Sequence, residues 1–216
     1  MLGLSLSPVP ALATSLEFAI TAPTGGTISY AGGLSPLIGT GITVDSVLGV
    51  NTPLENGELR NCLSCKLSFT TGAHTGSPTA WNWGGPGPVT LTGTVDLDKS
   101  GTVTPGDATG FLLNGTFGTA NVQAGGSTFR LLFGSFSDTK NATLTSFYGL
   151  PVSPYTGNLN LGFSALGSPG STFTSGSVGS GSLSNSIPEE SSLLLLGSGL
   201  LFSLAFWGQR KFNGVK

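Results

Sequence analysis

Apolar residues in this chain come in short runs that Gly, Pro or Asn interrupt, and no window before residue 190 carries the i, i+3, i+4, i+7 stripe of a long helix. A chain patterned this way is restricted to short extended elements joined by turns. Val89-Thr90-Leu91-Thr92-Gly93-Thr94-Val95 alternates with period two, as a half-buried strand does. Thr128-Phe129-Arg130-Leu131-Leu132-Phe133 is more continuously apolar, as a strand covered on both faces is. Further strands are expected over 16–21, 27–31, 41–47, 66–71, 110–117, 120–123, 142–148, 157–165 and 172–182, and the two patterns just named lie within strands expected over 89–97 and 127–137. About ten strands with turn signals between them predict an all-β fold of antiparallel sheets, a β-sandwich or a barrel-like relative. The sandwich is favoured because no short repeat imposes closure.

Composition narrows the function classes. Charged residues make up 8% of the 216, against about 25% in ordinary soluble domains. Hydrophobic residues at 38%, with 13 Phe, supply enough apolar mass for a core and exclude a wholly disordered chain. A net charge of −2 gives no basic surface for phosphates, so no nucleic-acid partner is expected. One His, one Met and two Cys leave little material for acid–base or metal chemistry. No catalytic set is visible and no enzyme is expected.

The two ends point to export. Ile187-Pro188-Glu189-Glu190 and Ser191-Ser192 precede an uncharged run, and Gln209-Arg210-Lys211 follows it. Residues 193–207 are apolar all round, unlike an amphipathic helix, and with Ser191 and Gly208 the run reaches the length of a membrane-spanning helix. The basic pair Arg210-Lys211 would keep that end cytoplasmic. A Pro-Glu motif, a Leu/Gly-rich span and a terminal Arg-Lys cluster, in that order, resemble the PEP-CTERM sorting signal of bacterial proteins. Glu190 stands where the family's motif has a second Pro. The resemblance implies an exosortase-type sorting enzyme as a partner, passage through the membrane by residues 193–207, and cleavage near Pro188 on the way to the cell surface or extracellular matrix. It also implies a structural or adhesive role in an exopolysaccharide or biofilm layer.

At the other end, Leu2 to Leu12 is apolar and Ala11-Leu12-Ala13 is a small-x-small cleavage pattern, so 1–13 read as a residual signal peptide. No basic n-region precedes it, which leaves open a shortened signal or a start further upstream. The expected organisation is therefore 14–166 as a β-rich ectodomain, 167–186 as a Gly/Ser-rich tether or final edge strand, and 187–212 as the sorting signal. In the ectodomain, Leu67-Ser68-Phe69-Thr70-Thr71-Gly72 and Phe136-Ser137-Asp138-Thr139-Lys140 are similar to segments of other secreted PEP-CTERM proteins, with no activity implied.

Four groups of residues invite a chemical reading. Asp96-Leu97-Asp98-Lys99-Ser100-Gly101-Thr102-Val103-Thr104-Pro105-Gly106-Asp107 resembles the twelve-residue calcium loop of EF-hands and dockerins. Asp96, Asp98, Ser100, Thr104 and Asp107 supply side-chain oxygens, and Thr102 stands where the loop gives a carbonyl. The same residues also suit a β-hairpin turning at Asp98-Lys99-Ser100-Gly101, because Asp and Gly are turn formers. Calcium is thus the one cofactor the sequence admits. Cys62 and Cys65 read as a small disulfide pinning a loop in an oxidising compartment, with free thiols or metal binding as alternatives. Trp81 and Trp83 share a face if they lie in a strand; exposed, they would stack on sugar rings, and buried they would be core. That gives a carbohydrate-binding module as the alternative function, with polysaccharide as the ligand. His74 reads as a surface loop residue.

Overall fold

The computed structural model describes residues 13–76, 80–125, 128–133, 136–152, 154–168 and 170–187. The expected signal peptide up to Leu12, the motif Pro188-Glu189-Glu190, the span 193–207 and Arg210-Lys211 lie outside the described residues. Among the described residues no helix is long and apolar enough to cross a membrane.

Thr14–Ile187 form a unit of their own. Its strands run in order as β1 (Ser15–Ile20), β2 (Thr27–Tyr30), β3 (Leu37–Val50), β4 (Leu59–Thr70), β5 (Trp81–Trp83), β6 (Gly87–Val95), β7 (Ala108–Phe117), β8 (Ala120–Gly125), β9 (Thr128–Phe133) and β10 (Phe136–Lys140). A short helix α1 (Ala142–Phe147) precedes β11 (Tyr155–Ser164), β12 (Phe173–Thr174) and β13 (Ser177–Ser186). Eight of them close a ring of antiparallel neighbours in the order β10-β7-β6-β4-β3-β1-β13-β11, and β11 pairs back onto β10. Strands β9, β8 and β5 continue from the upper half of β11, and β2 and β12 pair beside β3.

The fold is all-β as expected, but a closed barrel replaces the favoured sandwich. Closure here needs no sequence repeat. Register shifts interrupt the β3–β4, β4–β6, β6–β7 and β11–β13 ladders. Bulges of that kind bend strands and increase their twist, and an eight-stranded ring is narrow enough for side chains to fill. Inside, Phe69, Phe117 and Phe136 meet edge to face with centroids 5.6 Å apart. Gly39 makes room for them, since a Cβ there would strike the Phe69 ring.

Two further expectations change. Residues 142–148 form no strand: Asn141 accepts from the N–H groups of Thr143 (3.0 Å) and Leu144 (3.2 Å) and so caps α1. Residues 167–186 are no tether: β12 is the expected edge strand around Phe173, paired with β2 alone, but β13 is not an edge. They supply β12 and then β13, which is hydrogen-bonded to β1 on one side and β11 on the other. Small residues do not prevent this, because Val178, Leu183 and Asn185 alternate into the core and the Gly and Ser positions face out or into tight gaps.

Candidate metal centre

The β6 and β7 ladder ends at the Val95–Ala108 pair. The twelve residues between them form a loop rather than a tight hairpin turn, and no strand runs through Asp96–Thr102. The loop is anchored at its start. Asp96 N–H donates to Asn61 O (2.9 Å), and Arg60 Nε donates to Leu97 O (3.1 Å). Arg60 itself is held by Glu55 (3.2 Å) and Glu58 (2.7 Å), and Glu58 also takes Lys99 (2.8 Å). Lys99 and Gly101 both adopt left-handed backbone (φ 59° and 75°), which folds the chain back on itself.

This folding brings carboxylate oxygens of Asp96, Asp98 and Asp107 within 4.8 Å of one another. Asp96 and Asp107 are buried and Asp98 is exposed. Ligand oxygens at about 2.3–2.6 Å from one calcium ion lie at such separations. Backbone donors also serve the same carboxylates. Asp96 accepts from Ser100 N–H (3.0 Å) and Gly101 N–H (2.8 Å), and Asp107 from Leu97 N–H (2.9 Å) and Thr104 N–H (2.7 Å). Asp98 accepts from Ser100 N–H (3.0 Å) and Thr104 Oγ1 (3.1 Å). Hydrogen bonds from Ser100, ahead of those from Thr104, hold the Asp98 carboxyl below its ordinary range. Of the other expected ligands, Ser100 Oγ donates to Thr102 O (2.9 Å), and Thr104 Oγ1 lies within reach of Asp98 and Asp107. The structure therefore gathers three of the six residues as carboxylates, with the rest packed around them.

Comparison with known proteins gives no family model, curated protein or solved structure that matches this chain. The site must be judged on its own geometry.

Cys62 and Cys65 are disulfide-bonded, with Cα atoms 5.5 Å apart. The bond spans no loop: both residues lie within β4, across the register shift between Leu63 and Lys66, where Ser64 has φ 56°. It staples a bulge in the barrel wall.

Trp81 and Trp83 do share a face, but it is the inner one. Each is 1% exposed. Trp81 Nε1 donates to Ser171 O (3.0 Å) and Trp83 Nε1 to Ser35 O (3.1 Å). Trp81 packs on Phe129 and Phe173, and Trp83 on Tyr30 and His74. Neither of these two indoles opens a face to a sugar ring, so Trp81 and Trp83 do not form the expected stacking platform. His74 is likewise no surface residue: it is buried, and its Nε2 lies 2.9 Å from Ala80 O.

One group of residues went unnoticed in the sequence. Lys140 and Asp138, two apart on β10, form an ion pair with no side-chain exposure. Asn185 on β13 donates to the same Asp138 Oδ2 (2.9 Å). It reaches across β11 because Gly157 stands between: Phe136 pairs with Gly157 and Gly157 with Asn185. A Cβ at Gly157 would strike both the Phe136 ring and Asn185 Nδ2. Lys140 Nζ sits 4.6 Å from the Tyr155 ring centre. Burial pushes the Lys140 amine down to about 8 and the Asp138 carboxyl up, both towards a neutral pair. Asp138 Oδ1 and Asn185 Oδ1 are buried with no hydrogen-bond partner. The alternation Phe136-Ser137-Asp138-Thr139-Lys140 carried the signal: if Phe136 faces the core, period two sends Asp138 and Lys140 there too.

Proposed function

We propose that this chain is an exported, non-catalytic protein of a bacterial cell surface or extracellular matrix, delivered by its C-terminal signal and contributing a stable β-barrel to an exopolysaccharide layer. The observation that carries the reading is the three-part tail: Pro188-Glu189-Glu190, the apolar run 193–207 and Arg210-Lys211. An exosortase-type enzyme would recognise this signal while residues 193–207 hold the chain in the membrane. The Cys62–Cys65 bond is in keeping with an oxidising compartment. So is a surface solvated by hydroxyls rather than charges. Calcium, abundant outside cells, suits the hard oxygen donors of Asp96, Asp98 and Asp107 and would stiffen the 96–107 loop. Burial of Trp81 and Trp83 leaves the carbohydrate-binding alternative without its stacking surface.

The test is the intact mass of the protein from the membrane and from the medium of a host that expresses the sorting enzyme. A released species that begins at Thr14 and ends near Pro188–Glu190 is expected. A species recovered only from the membrane and still carrying residues 193–216 would make it a tail-anchored surface protein. Recovery of the whole uncut chain in the cytoplasm would overturn the reading.

A further inference from the structure

We infer that Lys140 and Asn185 become joined by an amide bond between their side chains, with Asp138 as the acid–base group that forms it. The argument is geometric. Lys140 Nζ and Asn185 Nδ2 both donate to one atom, Asp138 Oδ2, so amine, amide and carboxyl converge on a single point. None of the three side chains reaches solvent. Phe136, Tyr155 and the hole at Gly157 surround them. A held amine beside a held amide is a bimolecular reaction made unimolecular, which is where effective concentration gains most. Water, the competing nucleophile, is kept out.

The chemistry needs nothing beyond these residues. Burial favours passage of a proton from Lys140 to Asp138, leaving a neutral amine and a carboxylic acid. The amine lone pair attacks Asn185 Cγ. One hydrogen then moves from Lys140 Nζ to Asn185 Nδ2 by way of Asp138, the Cγ–Nδ2 bond breaks, and ammonia leaves. One C–N bond forms and one breaks, no electrons are gained or lost, and Asp138 keeps the proton it took from Lys140. Two buried oxygens that lack partners, Asp138 Oδ1 and Asn185 Oδ1, lie in this one cluster. Unlinked, the cluster is an incompletely satisfied polar core; linked, it presents one amide to one carboxylic acid. The bond would tie β10 to β13 across β11.

Mass spectrometry of the full chain, disulfide reduced, tests this. The linked protein weighs less than its sequence by one ammonia, about 17 Da. Trypsin should fail at Lys140, because an acylated lysine is no substrate, leaving residues 131–210 as one fragment. Chymotryptic cleavage within that fragment should then release a branched peptide containing both Lys140 and Asn185. A linear peptide 131–140 at its full sequence mass would overturn the proposal, as would loss of ammonia confined to a linear peptide around Asn185, the mark of a cyclic imide. Asp138→Asn should restore the full mass and tryptic cleavage at Lys140. The branched peptide from that variant would overturn the role of Asp138 and leave the bond, which the wild-type digest decides by itself.

Discussion

Asp98 and Asp138 are the same side chain placed in opposite surroundings. Asp98 stands in the exposed 96–107 loop, where donors from Ser100 and Thr104 favour its charged form. Asp138 stands inside the barrel, where loss of water outweighs even the adjacent Lys140 amine and favours the neutral form. The loop spends backbone N–H groups on its carboxylates, whereas β10 has none to spare because its N–H groups belong to the ladders with β7 and β11. A carboxylate met by backbone donors is suited to holding a cation. One deprived of them is suited to moving a proton. The difference comes from the backbone each Asp sits on, since strand pairing and loop geometry dispose of donors in different ways.

The largest effect should come from breaking the buried side. Lys140→Ala removes the partner of Asp138 Oδ2 and opens a cavity inside the barrel, and unfolding in urea should show a loss of about 2–5 kcal/mol. Lys140→Met, which keeps the volume, should lose less, about 1–3 kcal/mol, because the Asp138 carboxyl still goes without its partner. On the loop side, calcium at about a hundred times its dissociation constant should raise stability by about 2.7 kcal/mol, read as an increase in Tm that a chelator reverses. A Tm indifferent to calcium would make the loop a hydrogen-bonded turn and nothing more. Asp96→Ala strands the N–H groups of Ser100 and Gly101, and should cost about 1–3 kcal/mol without calcium and abolish the calcium response.

The smallest effects lie in the pH dependence. The folded pKa of Asp98 is lowered, so its contribution is present above the ordinary carboxylate value of 3.8 and lost as pH falls through the folded value. Asp98→Ala should flatten the acid limb of Tm against pH. Lys140 titrates at about 8 folded against 10.5 unfolded, so if its amine is free, stability should rise with pH between those values, the unfolded chain binding the extra proton. An amide at Lys140 has no such proton, and the curve in the lower part of that window should be level. Above about 10 the raised pKa values of Tyr148 and Tyr155 act in the opposite sense.

The β character was legible because alternation and turn residues act locally, and the 96–107 loop and the Cys62, Cys65 pair were legible because their spacing is short. Barrel closure was not, because it depends on β10 meeting β11 through bulges that leave no mark in composition. Helix α1 is six residues long, too short to display a 3.6-residue period, and only Asn141 announced it. Trp81 and Trp83 lie in a three-residue strand. Their common face was readable, but the side on which the core lay depended on β2, β9 and β12, far away in sequence. Asn185 could not be joined to Asp138 by any local rule, since the two meet only across the gap at Gly157.

Strands β1 and β13 are antiparallel neighbours, with Ser15 opposite Ser186 and Ile187 N–H bonded to Thr14 O. The barrel therefore begins and ends at a single point on its rim. A few residues would suffice to splice Ile187 to Thr14, and new termini opened between Ser100 and Gly106 would interrupt no ladder. A circular permutant of that kind should fold to the same barrel. By the same token the whole domain can be inserted into a surface loop of another protein as a cassette, entering and leaving by one door.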